Sequence, residues 1–112
     1  MGYDFQGKTI ETTETGYLVN TEDWSEDLAR HIASQEGIEL TDQHWDIINH
    51  LRDEYFNNNG NQPNERAILK AIGATWGNKL SSQDMYRLFP NMPSKQGGKI
   101  AGLPESRRKG GY

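Results

Sequence analysis

His31, His44 and His50 are the only imidazoles on this chain, and no cysteine accompanies them. Metal binding and proton transfer near neutrality therefore rest on three side chains and their carboxylate neighbours. Asp46 and His50 stand four apart, about one helical turn, and could share a cation; His44, two residues before Asp46, points elsewhere. Two ligands without a third make a poor site, so no metal or other cofactor is expected and these groups read as helix-surface polars. The missing thiol removes disulfides and thiolate nucleophiles. No glycine-rich phosphate loop followed by lysine is present, and no serine stands in a nucleophile-elbow motif. Arg52 and Arg66 could hold an anion, but with 16 Asp/Glu on the chain their expected role is intramolecular pairing.

Charge distribution is more informative. Residues 1–94 carry 7 Lys/Arg against 15 Asp/Glu, a net of −8, whereas residues 95–112 carry 5 against 1, a net of +4. An acidic body thus ends in a basic arm. Lys95, Lys99, Arg107, Arg108, Lys109 and the terminal Tyr112 are the candidate partner-binding residues, because a basic segment is steered to an acidic surface and an aromatic ring can then anchor it. The bland alternative is a solvated, frayed terminus. Gly110-Gly111 superficially matches the ends of conjugated protein modifiers, but Tyr112 covers the glycine carboxylate that such chemistry activates, which favours a flexible tail.

The elements that would position these residues fit one domain over residues 1–102, with a flexible basic arm over 103–112; a chain of 112 residues supports one modest core. At 33% apolar residues, the core must rely on bulky anchors such as Trp24, Trp45 and Trp76. Tyr3-Asp4-Phe5, Thr9-Ile10-Glu11 and Tyr17-Leu18-Val19, separated by glycine-containing turns, predict a small β-meander that must lean on helices. A first helix is predicted over Glu22 to Glu36 with Thr21 as its N-cap and Trp24, Leu28 and Ile32 as its buried stripe. A second starts after Thr41 and ends in the Asn57-Asn58-Asn59-Gly60 cluster; a third runs from Glu65 to Trp76 between Asn64 and Gly77. Their sets Ile47, Ile48, Leu51, Tyr55 and Ile68, Leu69, Ile72, Trp76 face one core, with Trp45 and Trp76 expected to be largely buried between them. Ser81 or Ser82 caps a short fourth helix stopped by Pro90, and Pro93 opens a fifth. Gly97-Gly98 should weaken that fifth helix by about 0.5–1 kcal/mol each. Either the arm needs the flexibility or close packing excludes side chains there.

An ordered set of segments carries a resemblance across almost the whole chain: Gly16-Tyr17-Leu18, Trp24, His44-Trp45-Asp46-Ile47-Ile48, Leu51-Arg52 with Tyr55, Tyr86-Arg87-Leu88-Phe89-Pro90, Pro93-Ser94-Lys95-Gln96, and Lys99-Ile100-Ala101-Gly102-Leu103-Pro104. The chain closely resembles the DsrC/TusE family of sulfur-relay proteins, which includes the small partner of dissimilatory sulfite reductase and the sulfurtransferase of a tRNA-thiolation relay. The resemblance implies an α+β, mainly α fold: a small N-terminal β-meander on an array of about five helices, with a mobile C-terminal arm. It also implies that sulfur would be carried by a penultimate cysteine and, in some members, a second cysteine before the Ala-Gly-Leu-Pro stretch. The corresponding positions here are Gly111 and Gly98, neither of which can hold a persulfide. After Pro104 the family's short Pro-containing stretch gives way to a longer, more basic one, Glu105 to Tyr112, a change that points to divergence rather than one replaced cysteine.

The reading that follows is a non-catalytic partner-binding or regulatory protein of sulfur metabolism, with no catalytic residue and a protein partner such as a sulfur-relay or sulfite-reductase-type complex. One alternative is a sulfurtransferase whose thiol is lost or replaced. Another is a small DNA-binding regulator: the second and third helices with their Asn-rich turn imitate a helix-turn-helix, and Arg107-Arg108-Lys109 could meet phosphate. Against it, the third helix offers only Arg66 and Lys70 on an acidic body. No stretch approaches the roughly 20 apolar residues that span a bilayer, and the start lacks signal-peptide character, so a cytoplasmic protein without membrane association is expected.

Overall fold

The computed structural model describes residues 2–104. Strand β1 (Gly2–Phe5) pairs antiparallel with β2 (Lys8–Glu11), with Tyr3 opposite Ile10 and Asp4 opposite Thr9. Gln6 and Gly7 join them at φ 51° and 78°. Two successive positive φ values define the hairpin turn whose twist matches the strands, and glycine in the second place carries no Cβ penalty. The third meander strand expected over Tyr17-Leu18-Val19 shrinks to one bridge, Thr12 to Leu18. There the Thr13 N–H donates to the Tyr17 carbonyl (2.8 Å) and the Gly16 N–H to that of Thr13 (3.0 Å), so a tight turn takes bonds that a longer ladder would need. The hairpin leans on the first helix through Tyr3 and Phe5, whose rings pack on His31 with centroids 5.8 and 5.5 Å away.

The predicted first helix is split. Residues Thr21–Asp23 form a single 3-10 turn, and α1 (Glu26–Gln35) begins only after Ser25, which is extended at φ −148° and accepts the Leu28 N–H on its hydroxyl (3.1 Å). Ser25 followed by Glu26-Asp27 is a stronger start than Thr21, because two acids then lie in the helix's first turn. Trp24 is therefore extended and off the helical stripe, while Leu28, Ala29, Ile32 and Ala33 stay buried.

Helices α2 (Asp42–Asn57), α3 (Glu65–Trp76), α4 (Ser82–Leu88) and α5 (Pro93–Ile100) lie where periodicity and caps put them. The Asn64 side chain accepts from the Ala67 amide (2.9 Å), and Ser81 and Asp84 exchange reciprocal capping bonds. Pro93 sits in the first turn of α5, where a missing N–H costs nothing.

Helix α5 packs against α1, α2, α3 and α4. Pro93, Gln96, Gly97, Gly98 and Ile100 are all buried on it, and the helix runs unbroken through the paired glycines: packing of neighbouring helices offsets the weakening expected from propensity. Ile47, Ile48 and Leu51 of α2, Ile68 and Ile72 of α3, with Met85, Phe89 and Leu103, complete the core. Each such side chain stabilises the fold by about 1.5–3 kcal/mol. Trp45 and Trp76 are only half-buried, contrary to expectation. Trp45 faces Arg30, 5.2 Å from its ring centroid, and Trp76 spans α3 to α2 by donating its indole N–H to Asp46 (2.7 Å). The Trp76 indole nitrogen thus finds its acceptor at the rim, where the Trp45 ring face meets a cation instead.

Candidate partner-binding site

The two glycines of α5 serve different ends. A Cβ on Gly97 would lie 3.0 Å from Leu51 Cδ1, so this glycine lets α5 lie close on α2. A Cβ on Gly98 would meet nothing within 4 Å among the described residues. The helix then closes on Gly102 at φ 76°, with the Gly102 N–H donating to the Lys99 carbonyl (3.1 Å) and the Leu103 N–H to that of Gly98 (3.0 Å). This is the double-bonded glycine terminus, completed by the buried apolar Leu103 just beyond it. A Cβ on Gly102 would run into the Trp24 ring, so glycine is required there twice over.

Three side chains grip the carbonyls that the helix end leaves over. The Trp24 indole N–H donates to Ile100 O (2.8 Å), Arg52 Nη1 to Ala101 O (2.7 Å) and Gln62 Nε2 to Pro104 O (2.8 Å). The Arg52 guanidinium also lies 3.7 Å from the Trp24 ring centroid and 4.8 Å from that of Phe56. Burial lowers the Arg52 pKa from its ordinary value, a desolvation cost that the carbonyl and the two rings offset. The expected pairing of Arg52 with an acid is thus replaced by a carbonyl and two aromatic faces. Arg66 likewise has no acid partner among the described residues.

One turn back, Lys95 and Lys99 share a hollow of about 350 Å³ with Thr15, Tyr17, Glu36 and Gln96. Lys99 Nζ reaches Glu36 Oε1 at 3.3 Å and sits 5.5 Å from the Tyr17 ring centroid, while Gln96 donates to the same carboxylate oxygen at 3.4 Å. The Tyr17 hydroxyl donates to the Lys95 carbonyl (3.2 Å). The structure therefore brings the two predicted lysines together but neutralises one of them with Glu36. Arg107, Arg108, Lys109 and Tyr112, with Gly111, lie outside the described residues. Trp24, Glu36, Arg52 and Gln62 escaped sequence reasoning as a group, because they come from four segments joined only by the fold; the sole hint was that Trp24 and Arg52 lie in motif segments.

Among the described residues no acid–base or nucleophilic centre emerges. Asp46 is engaged by Trp76. His44 takes the Thr41 N–H on Nδ1 (3.0 Å) and sets Nε2 2.9 Å from the Leu88 carbonyl. Among the described residues no group of three potential ligands could hold a metal, and no helix is long and apolar enough to cross a membrane. The arrangement fixes the end of α5 and sets Lys95 and Lys99 beside it.

A hairpin on a five-helix array, with a buried fifth helix delivering an Ala-Gly-Leu-Pro exit, defines a known class. The family model described as "DsrC like protein" matches residues 4–108, and the chain belongs to that family. The sulfurtransferase TusE of Yersinia pseudotuberculosis serotype I is 46% identical over 103 residues, covering 91% of this chain and 94% of the relative. Among solved structures, DsrC of Allochromatium vinosum superposes with a TM-score of 0.85 at 39% identity, covering 96% of each chain. The oxidized gamma-subunit of the dissimilatory sulfite reductase (DsrC) from Archaeoglobus fulgidus does so with a TM-score of 0.83 at 33% identity, covering 92% of this chain and 94% of that one.

Proposed function

We propose that this protein is a thiol-free member of the sulfur-relay family that docks on a cytoplasmic protein partner, through α5, its hollow at Lys95 and Lys99, and the basic residues 103–112, without carrying sulfur itself. One observation carries the reading: the chain has no cysteine, with glycine at both positions where the family resemblance places one. Persulfide transfer is attack by and upon sulfur, and neither a methionine thioether nor a hydroxyl takes part in that exchange. A protein partner is favoured by the relative that is named as a subunit of a sulfite reductase. The names of relatives such as the Yersinia TusE favour a second reading, a sulfurtransferase role, in which another chain would have to supply the thiol.

Incubation with a persulfide donor followed by intact-mass measurement should find no added sulfur on this chain. Transferable sulfur on it would overturn the proposal. Capture of the native partner should weaken sharply when residues 105–112 are removed or when Arg107, Arg108 and Lys109 are reversed in charge, and rising salt should weaken the intact interaction. Equal capture by the truncated chain would move the docking surface off the arm. Specific duplex-DNA binding well above that to random sequence would favour a regulator of transcription instead.

A further inference from the structure

Among the described residues a second surface, sharing no residue with the hollow beside α5, has a composition unlike the rest of the body. Helix α3 and the turn after it enclose an open hollow of about 550 Å³ lined by Leu69, Ala74 and Leu80, with Arg66, Lys70 and Lys79 also on its wall. No Asp or Glu lines it, although acids outnumber bases 15 to 7 over residues 1–94. Three other hollows each include a carboxylate: Glu39, Asp84 or Glu36. Arg30, Arg87 and Lys99 spend their charge on neighbouring acids. Arg66, Lys70 and Lys79 make no ion pair or side-chain hydrogen bond among the described residues.

The hollow is also preformed. A Cβ on Gly73 would lie 2.7 Å from the Asn78 carbonyl oxygen, so glycine lets the returning chain close on α3, and the Asn78 N–H bonds back to the Gly73 carbonyl at 3.0 Å. A site held open by backbone geometry spends little binding energy on reorganisation.

We infer that this hollow docks an acidic segment of a partner protein, one apolar side chain entering between Leu69, Ala74 and Leu80 while flanking carboxylates meet Arg66, Lys70 and Lys79. Unpaired cations around an apolar floor fit that chemistry better than a phosphate backbone, which would use the charges and leave the floor unfilled. Among the described residues the hollow's lining is confined to residues 66–80, so it stands or falls separately from the docking mode proposed above.

The test titrates the full ¹⁵N-labelled chain with a capped Glu-Glu-Leu-Glu-Glu peptide. Amide shifts should concentrate at Gly73, Ala74, Gly77, Lys79 and Leu80, and added salt should weaken them. The combined charge reversal Arg66→Glu, Lys70→Glu, Lys79→Glu should weaken binding about tenfold or more, as should replacing the peptide's leucine by glycine. Should the triple reversal unfold the chain, Arg66→Gln with Lys79→Gln should weaken binding in the same direction. Removing residues 105–112 should change nothing in this titration. Shifts confined to α5, or equal binding of the glycine peptide or of a Lys-Lys-Leu-Lys-Lys peptide, would overturn the inference. So would duplex DNA occupying the same amides while the acidic peptide does not, or a concentration-dependent dimer abolished by the triple reversal.

Discussion

Adding one methyl group separates the roles of the glycines around α5. At Gly102 it must enter a left-handed backbone, costing about 1–2 kcal/mol, and press on the Trp24 ring, costing about 1–3 kcal/mol more. At Gly98 it meets open space among the described residues and should gain about 0.5–1 kcal/mol of helix propensity. Chemical denaturation should therefore rank Gly98→Ala at or above the parent and Gly102→Ala well below it; the reverse order would mean that α5 ends differently. The sequence alone could not choose between flexibility and close packing for Gly97-Gly98. The contact that decides it, with Leu51, joins residues 46 positions apart in a chain where only local spacing can be read. Gly102 was legible only as part of a motif, since its second constraint comes from Trp24, on a segment mistaken for helix.

At the scale of elements, His44 ties the start of α2 to the end of α4. Its Nδ1 accepts the Thr41 N–H, so the proton resides on Nε2 and is donated to the Leu88 carbonyl; the ring also meets Phe89 edge-on at 5.1 Å. Burial lowers the imidazole's pKa, outweighing the Leu88 hydrogen bond that raises it. Protonation would turn Nδ1 into a donor and forfeit the Thr41 N–H bond, leaving the Thr41 hydroxyl, 2.8 Å away, as its acceptor. Below the ordinary histidine value of about 6.5 the unfolded chain then binds more protons than the folded one, so this contribution is present above that pH and is lost as pH falls towards the lower folded-state pKa. Denaturation midpoints should fall across that window, and His44→Gln should flatten the fall whatever its absolute stability. A slope unchanged by the substitution would exclude His44 as its source. Helices α2 to α5 were legible because their caps and apolar spacing are local signals. The start of α1 was not, because Thr21 and Ser25 compete as caps, and neither was the loss of the third strand, where the Thr13–Gly16 turn outbids a ladder. The rim positions of Trp45 and Trp76 follow from partners, Arg30 and Asp46, that periodicity does not reveal.

Across the whole molecule, the exit of the chain from its body is held from three distant points. Arg52→Ala should cost about 1.5–3 kcal/mol for a charge-assisted hydrogen bond and about 0.5–1 kcal/mol for the lost aromatic stacking. Hydrogen exchange should speed up at the Gly102 and Leu103 amides, whose bonds close α5; protection left unchanged there would mean that Arg52 does not hold the exit. Trp24, Arg52 and Gln62 all donate to main-chain carbonyls, gripping oxygens that every residue possesses. A fastening of that kind is indifferent to the letters of the sequence that follows it. Replacing the residues that follow Pro104, even by a cysteine-bearing stretch, should therefore leave these three bonds in place as a ready-made socket.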